Sequence, residues 1–117
     1  KAVMLDIGLF GSIMGVSRIA EFQKSNLLAI FQGAMAEQLV GQEILAATNT
    51  ELYYWSREAK SSNAETDYLV EKQGHIIPVE VKSGKGGSLK SLHLLLETYP
   101  NVNEGYVFSD AVYGQLP

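Results

Sequence analysis

The 117-residue chain contains no cysteine, three prolines, one tryptophan and two histidines. Without cysteine there is neither a disulfide nor a thiolate metal ligand, which suits a reducing compartment and points to the cytoplasm. His75 and His93 are too few and too scattered for a histidine-ligated metal centre, so any metal bound here is held by oxygen. Long apolar runs are missing as well. The stretch from Leu27 to Phe31 is interrupted by Gln32 and Gly33, far short of the roughly 20 residues needed to cross a bilayer. No secretory pattern opens the chain, and its first residue is Lys1 rather than Met, which reads as a piece of a longer protein. Positive charge is scarce overall: the net charge of −4 argues against non-specific binding to a polyanion, because phosphate contacts need basic residues. Between Ser56 and Ser91, however, six basic residues face five acidic ones. Acids gathered around a cation would leave that region locally basic.

What is present is ordinary globular composition, 46% hydrophobic and 19% charged, enough for one domain with a modest core. Residues 2 to 6, AVMLD, read as a short strand, and the glycines at 8, 11 and 15 break any long element after it. Ser17 suits the cap of a short helix through Gln23. From Leu27 to Ala47 the alanine, leucine and glutamine content predicts a long helix. Gly33, Glu37, Gly41 and Ile44 share one of its faces, where two glycines permit close approach of a neighbour. Alternation predicts strands over 50–58, 64–72 and 76–82, joined by short turns as an antiparallel meander. Ser88 is placed to cap a second helix whose leucines recur at helical spacing until Pro100 stops it. A strand over 104–109 follows, with an edge piece from Asp110 to Pro117. The order from Leu27 is helix, strand, strand, strand, helix, strand.

The chemistry gathers on the third strand, IIPVEVKSGK, residues 76–85. Side chains alternate along a strand, so Ile76, Pro78, Glu80 and Lys82 share one face. Burying such charges is costly unless they are paired or coordinate a metal. On the preceding strand Glu65, Asp67 and Leu69 share a face, and hairpin pairing can bring Asp67 beside Glu80. Two carboxylates that close repel unless a proton or cation lies between them. Magnesium or manganese is the matching hard cation, with Lys82 flanking it to orient water or neutralise a phosphate.

Asp67 followed by Glu80-Val81-Lys82 on the next strand resembles the PD-(D/E)XK motif of the restriction-endonuclease-like superfamily, whose common core has the same element order. More narrowly, LDIGLF, GAMAEQLVGQEIL, YYWSREAKSSNAETDYLVE, IIPVEVKSGK and SLKSL resemble the uncharacterised domain at the C-terminus of many bacterial and archaeal AAA-type ATPases. The resemblance runs through nearly the whole chain. It implies a single restriction-endonuclease-like α/β domain over residues 1–117 that hydrolyses phosphodiesters of nucleic acid, DNA being favoured, with Mg2+ or Mn2+. It makes Asp67 and Glu80 metal ligands completed by Glu37, and Lys82 the catalytic lysine. The family's first motif is often Glu-Asn, where this chain has Glu37-Gln38. The implied partner is the N-terminal ATPase domain of the same protein, with no membrane involved.

Other readings stand beside these. Glu80 and Lys82 could form an ion pair on a half-exposed strand. Asp67 could be an edge residue, and Glu37 a solvated helix residue. The whole scaffold could be a non-catalytic module that binds a partner protein or nucleic acid for its ATPase. The sequence SGKGG is not a phosphate-binding loop: that motif needs a glycine five residues before Gly84, where Val79 stands, and Ser or Thr after Lys85, where Gly86 stands.

Overall fold

The computed structural model describes residues 2–4, 6–13, 27–60, 62–84 and 87–115. Its elements in chain order are α1 (Ile7–Ile13), α2 (Leu27–Thr48), β1 (Tyr53–Arg57), β2 (Ala64–Lys72), β3 (His75–Val81), α3 (Lys90–Thr98) and β4 (Tyr106–Phe108). The helix-strand-strand-strand-helix-strand order from residue 27 is therefore realised, as a mixed α/β domain. The helix proposed from Ser17 to Gln23 lies outside the described residues. No described helix is long and apolar enough to cross a membrane.

One expectation at the N-terminal end does not hold: residues 2–4 form no strand. The element that spans the glycines at 8 and 11 is short, the seven-residue α1. It starts at Asp6, which acts as a cap: its Oδ1 accepts the Leu9 N–H at 3.0 Å and its carbonyl accepts the Phe10 N–H at 3.0 Å. α1 then rests on α2 where Gly11 faces the Met35 methyl.

α2 ends with Asn49 in the left-handed region, φ 50°, whose N–H returns to the Leu45 carbonyl. The strands form one open sheet in the order β1-β2-β3-β4. β1, β2 and β3 make the antiparallel meander, with a register irregularity between Tyr53 and Trp55. β4 adds in parallel to β3, Glu80 opposite Val107. The β2–β3 hairpin turns on Gln73 and Gly74, both at positive φ (54° and 80°), the type I′ geometry that matches strand twist. Glu71 accepts the Gly74 N–H at 2.6 Å.

The core sits on the two central strands. Ala64, Thr66 and Tyr68 of β2 are buried, and so is every residue of β3 from Ile77 to Glu80. β3 is thus covered on both faces at its centre. α3 contributes Leu92 and Leu95. Its cap residue is Leu89 rather than Ser88, and no side chain caps it; Ser88 makes only a long 3.4 Å contact from the Lys90 N–H to its hydroxyl. Lys90 is the first residue of the helix, and Leu89 before it sits at φ −100°, ψ 20°. The end of α3 meets β1 through Trp55, whose indole N–H points to the Tyr99 hydroxyl at 3.4 Å while the rings cross edge to face. β4 is shorter than the sequence pattern suggests, and the described part of the tail, residues 109–115, adds no strand.

Gly74→Ala puts a side chain on a left-handed residue and costs about 1 kcal/mol of stability. Urea unfolding measures this as a lower midpoint with an unchanged slope. Retention of the wild-type midpoint would contradict the I′ turn.

Candidate functional site

The four charged residues of interest come from three elements. Register sets the first pair: Tyr68 stands opposite Val79, and one step further along the hairpin Asp67 comes level with Glu80. Here the carboxylate of Asp67 turns to the backbone of β3, its Oδ2 accepting the Val81 N–H at 2.8 Å. A charge-assisted bond of this kind holds Asp67 across the end of the strand pair.

Glu80 is 6% exposed, a carboxylate in the interior of the sheet. Lys82 answers it. Its Nζ lies 2.6 Å from Glu80 Oε1, with the two side chains 26% and 8% exposed. The strand's alternation is what makes the pair: residues two apart emerge on one face, so a carboxylate and an ammonium at 80 and 82 meet without any rearrangement. The ion-pair reading of these residues is realised, and the ammonium offsets the desolvation of the buried carboxylate. Lys82 itself lies one residue past β3 as observed, yet its N–H still donates to the Phe108 carbonyl at 2.8 Å. Gly87 lies against its stem, where an added Cβ would come within 2.8 Å of Cδ.

Glu37 is brought by α2. The helix passes over Ser83 at Gly33, where an added Cβ would sit 3.8 Å from the Ser83 hydroxyl, and over Tyr68 at Gly41. Glu37 lies one helical turn from each, on the stripe that faces the sheet. Its backbone is tied down by Tyr68, whose hydroxyl donates to the Glu37 carbonyl at 2.8 Å. The structure thus brings Asp67, Glu80 and Lys82 together at adjoining positions. Among the described residues no set of three or more Asp, Glu or His side chains lies close enough to hold a metal ion, so Glu37, Asp67 and Glu80 do not form such a set. Two clefts, about 380 and 520 Å³, lie elsewhere, between the β1–β2 connection and the start of α3, lined in part by Arg57, Asn63, Glu65 and Ser91. We give them no role in this chemistry, because none of the four residues lines either cleft.

Tyr68 is the participant that sequence reasoning missed. Alternation along the strand puts it on the face opposite Asp67 and says nothing of what it meets there. The two-glycine face of α2 signalled a close neighbour without saying which residue it was. A Cβ at Gly41 would stand 2.6 Å from the Tyr68 hydroxyl, so only glycine lets the hydroxyl pass to the carbonyl beneath it.

Replacing Lys82 with methionine takes the ammonium from a buried carboxylate and costs roughly 3 kcal/mol. Glu80→Gln together with Lys82→Met costs less than the sum of the two single changes. Denaturant titration of the three variants gives the coupling; strictly additive losses would remove the ion pair from the account.

Residues 32–113, which include all four residues and the elements that carry them, match the family of domains of unknown function designated DUF4143. Domains of this family commonly occur with AAA ATPases. No curated protein and no solved structure matches the chain. The match spans well over half of the sequence, from α2 through β4 and beyond, and the chain therefore belongs to the DUF4143 family.

Proposed function

We propose that this domain is a metal-dependent nuclease-like module of a AAA-type ATPase, acting on the phosphodiester bonds of nucleic acid, with DNA favoured. The observation that carries the reading is the placement of Asp67, bonded to the Val81 N–H, beside the Glu80–Lys82 pair where β2 and β3 leave their pairing. The element order, with β4 parallel beside β3 after an antiparallel meander, supports a restriction-endonuclease-like core.

The donor set suits a hard divalent ion: two carboxylates at adjoining positions with an ammonium at one side match the way magnesium is held, by one or two acids plus water and phosphate. Asp67 and Glu80 are the residues that would hold Mg2+ or Mn2+; Glu37 would join them only if α2 brought it closer than it lies in this structure. Such an ion, when bound, polarises the phosphate and lowers the pKa of a water. The protein's own contribution is placement. Asp67 is fixed by the Val81 N–H and Glu80 by burial. Lys82 gives one of its three N–H donors to Glu80, which leaves the ammonium beside the position of a substrate phosphate, where it orients water and balances developing charge.

One observation favours a second reading, a non-catalytic module that binds a partner protein or nucleic acid for the ATPase. Lys82 already neutralises Glu80 without any cation. Cleavage assays separate the two. On the nuclease reading, purified protein cuts DNA with Mg2+ or Mn2+, and Asp67→Ala or Lys82→Ala lowers the rate by on the order of 10²-fold or more while the circular dichroism spectrum is retained. Calorimetry with Mn2+ detects one site that Asp67→Ala removes. Wild-type protein that cuts neither DNA nor RNA with either ion, and takes up no Mn2+, leaves the interaction module.

A further inference from the structure

Residues 2–4 lie on α2 in a manner that no strand ladder explains. Gln38 and Gln42, one helical turn apart, reach out from the helix to them. Gln38 Oε1 accepts the Met4 N–H at 2.7 Å, and the same amide's Nε2 donates to the Ala2 carbonyl at 2.8 Å. Gln42 Nε2 donates to the Met4 carbonyl at 3.0 Å. The Gln38 amide therefore engages the carbonyl of one residue and the N–H two residues on, as a residue of a parallel strand does with its neighbour. A side-chain amide can do this because it offers the same donor and acceptor as a peptide group. Every one of these bonds goes to main chain, so the surface reads an extended backbone and not a sequence.

Between the two gripped residues, Val3 enters the notch at Gly41. Its Cγ2 stands 3.3 Å from where a Cβ on that glycine would be. The other wall of the notch is the Tyr68 hydroxyl, 2.6 Å from the same point, which donates to the Glu37 carbonyl. Val3 and Tyr68 thus meet across one missing methyl group.

We infer that α2 carries a docking surface for extended peptide backbone, built by Gln38, Gly41 and Gln42, and that the segment it takes is the chain's own residues 2–4, held as a detachable strap whose seating is coupled to the Tyr68 contact with α2. The strap is detachable because, among the described residues, three side-chain hydrogen bonds, one of them exposed, and the half-buried Val3 and Met4 hold it, outside the sheet and its buried centre. It is coupled because the notch is shared: moving α2 on Tyr68 changes the room left for Val3, and the converse must hold to the same degree. The inference is independent of the nuclease reading. Its consequence is that strap docking biases how α2, with Glu37, lies over the Asp67 strand.

The test is amide exchange by NMR on the full chain. In Gln38→Ala/Gln42→Ala the Met4 amide exchanges about tenfold faster or more, while the Val79 amide at the buried centre of β3 keeps its rate. Tyr68→Phe, which touches none of the strap's hydrogen bonds, also accelerates Met4, and the triple variant falls short of the product of the separate effects. Gly41→Ala, with both glutamines intact, fills the notch and releases Met4 likewise. An unchanged Met4 rate in Tyr68→Phe, or effects that multiply fully, overturns the coupling. Equal acceleration of Met4 and Val79 in the glutamine variant means the segment opens only with the whole fold, and overturns the detachable strap.

Discussion

A carboxylate taken out of water must be met by positive charge, and in this domain that requirement falls on the strand at the centre of the sheet. Glu80 is buried with Pro78, Val79 and Ile77 around it on β3, and its charge is answered by Lys82 two residues further along the same strand. Removing the ammonium takes compensation from a carboxylate inside the domain, which is more costly than never having had the pair. The pair in turn dictates its surroundings. β2 lies beside β3 in a register that brings Asp67 level with Glu80, and the Asp67 carboxylate takes the Val81 N–H as a partner of its own. β4 seals the other edge of β3 and accepts the Lys82 N–H through Phe108.

A second constraint joins the long helix to this arrangement. Tyr68, on the face of β2 opposite Asp67, is buried against α2 and hydrogen-bonded to the helix backbone at Glu37. A buried phenol needs such a partner, and the absence of a side chain at Gly41 is what lets it find one. One interior tyrosine, the residue next in sequence to Asp67, therefore sets the height of the helix that carries Glu37. Acidic groups on two elements are thus linked through the packing of Tyr68.

These features frame the two functional readings of this DUF4143 domain. A site that binds a divalent ion and a self-contained ion pair use the same residues in the same places. They differ in what neutralises the buried carboxylate when substrate is present. The net charge of −4 fits a protein-binding module as readily as a nuclease with a locally basic face. On either reading the ends of β2 and β3 are where the domain concentrates its charge.

The element order and the pairing of β1, β2 and β3 were legible because they rest on local signals: helical composition from Leu27 to Ala47, alternation on the strands, and a Gln73-Gly74 turn. The shared face of Glu80 and Lys82 followed from the two-residue period alone, and so did the level placement of Asp67 once the hairpin was assumed. The helix from Ile7 was not legible, because two glycines outweighed the Asp6 cap that nucleates it. Nor was the strand-like grip on residues 2–4, whose partners are glutamine side chains some 34 to 38 positions away. By itself the sequence determined which residues alternate, where the chain turns and which charges share a face, since each depends on neighbours within a few bonds or one helical turn. Tertiary structure alone decided that Tyr68 would meet Gly41 and Glu37, that Asp67 would spend an oxygen on Val81, and that Val3 would fill a notch in a distant helix. Those contacts depend on how α2 lies on the sheet, and packing over the whole domain settles that.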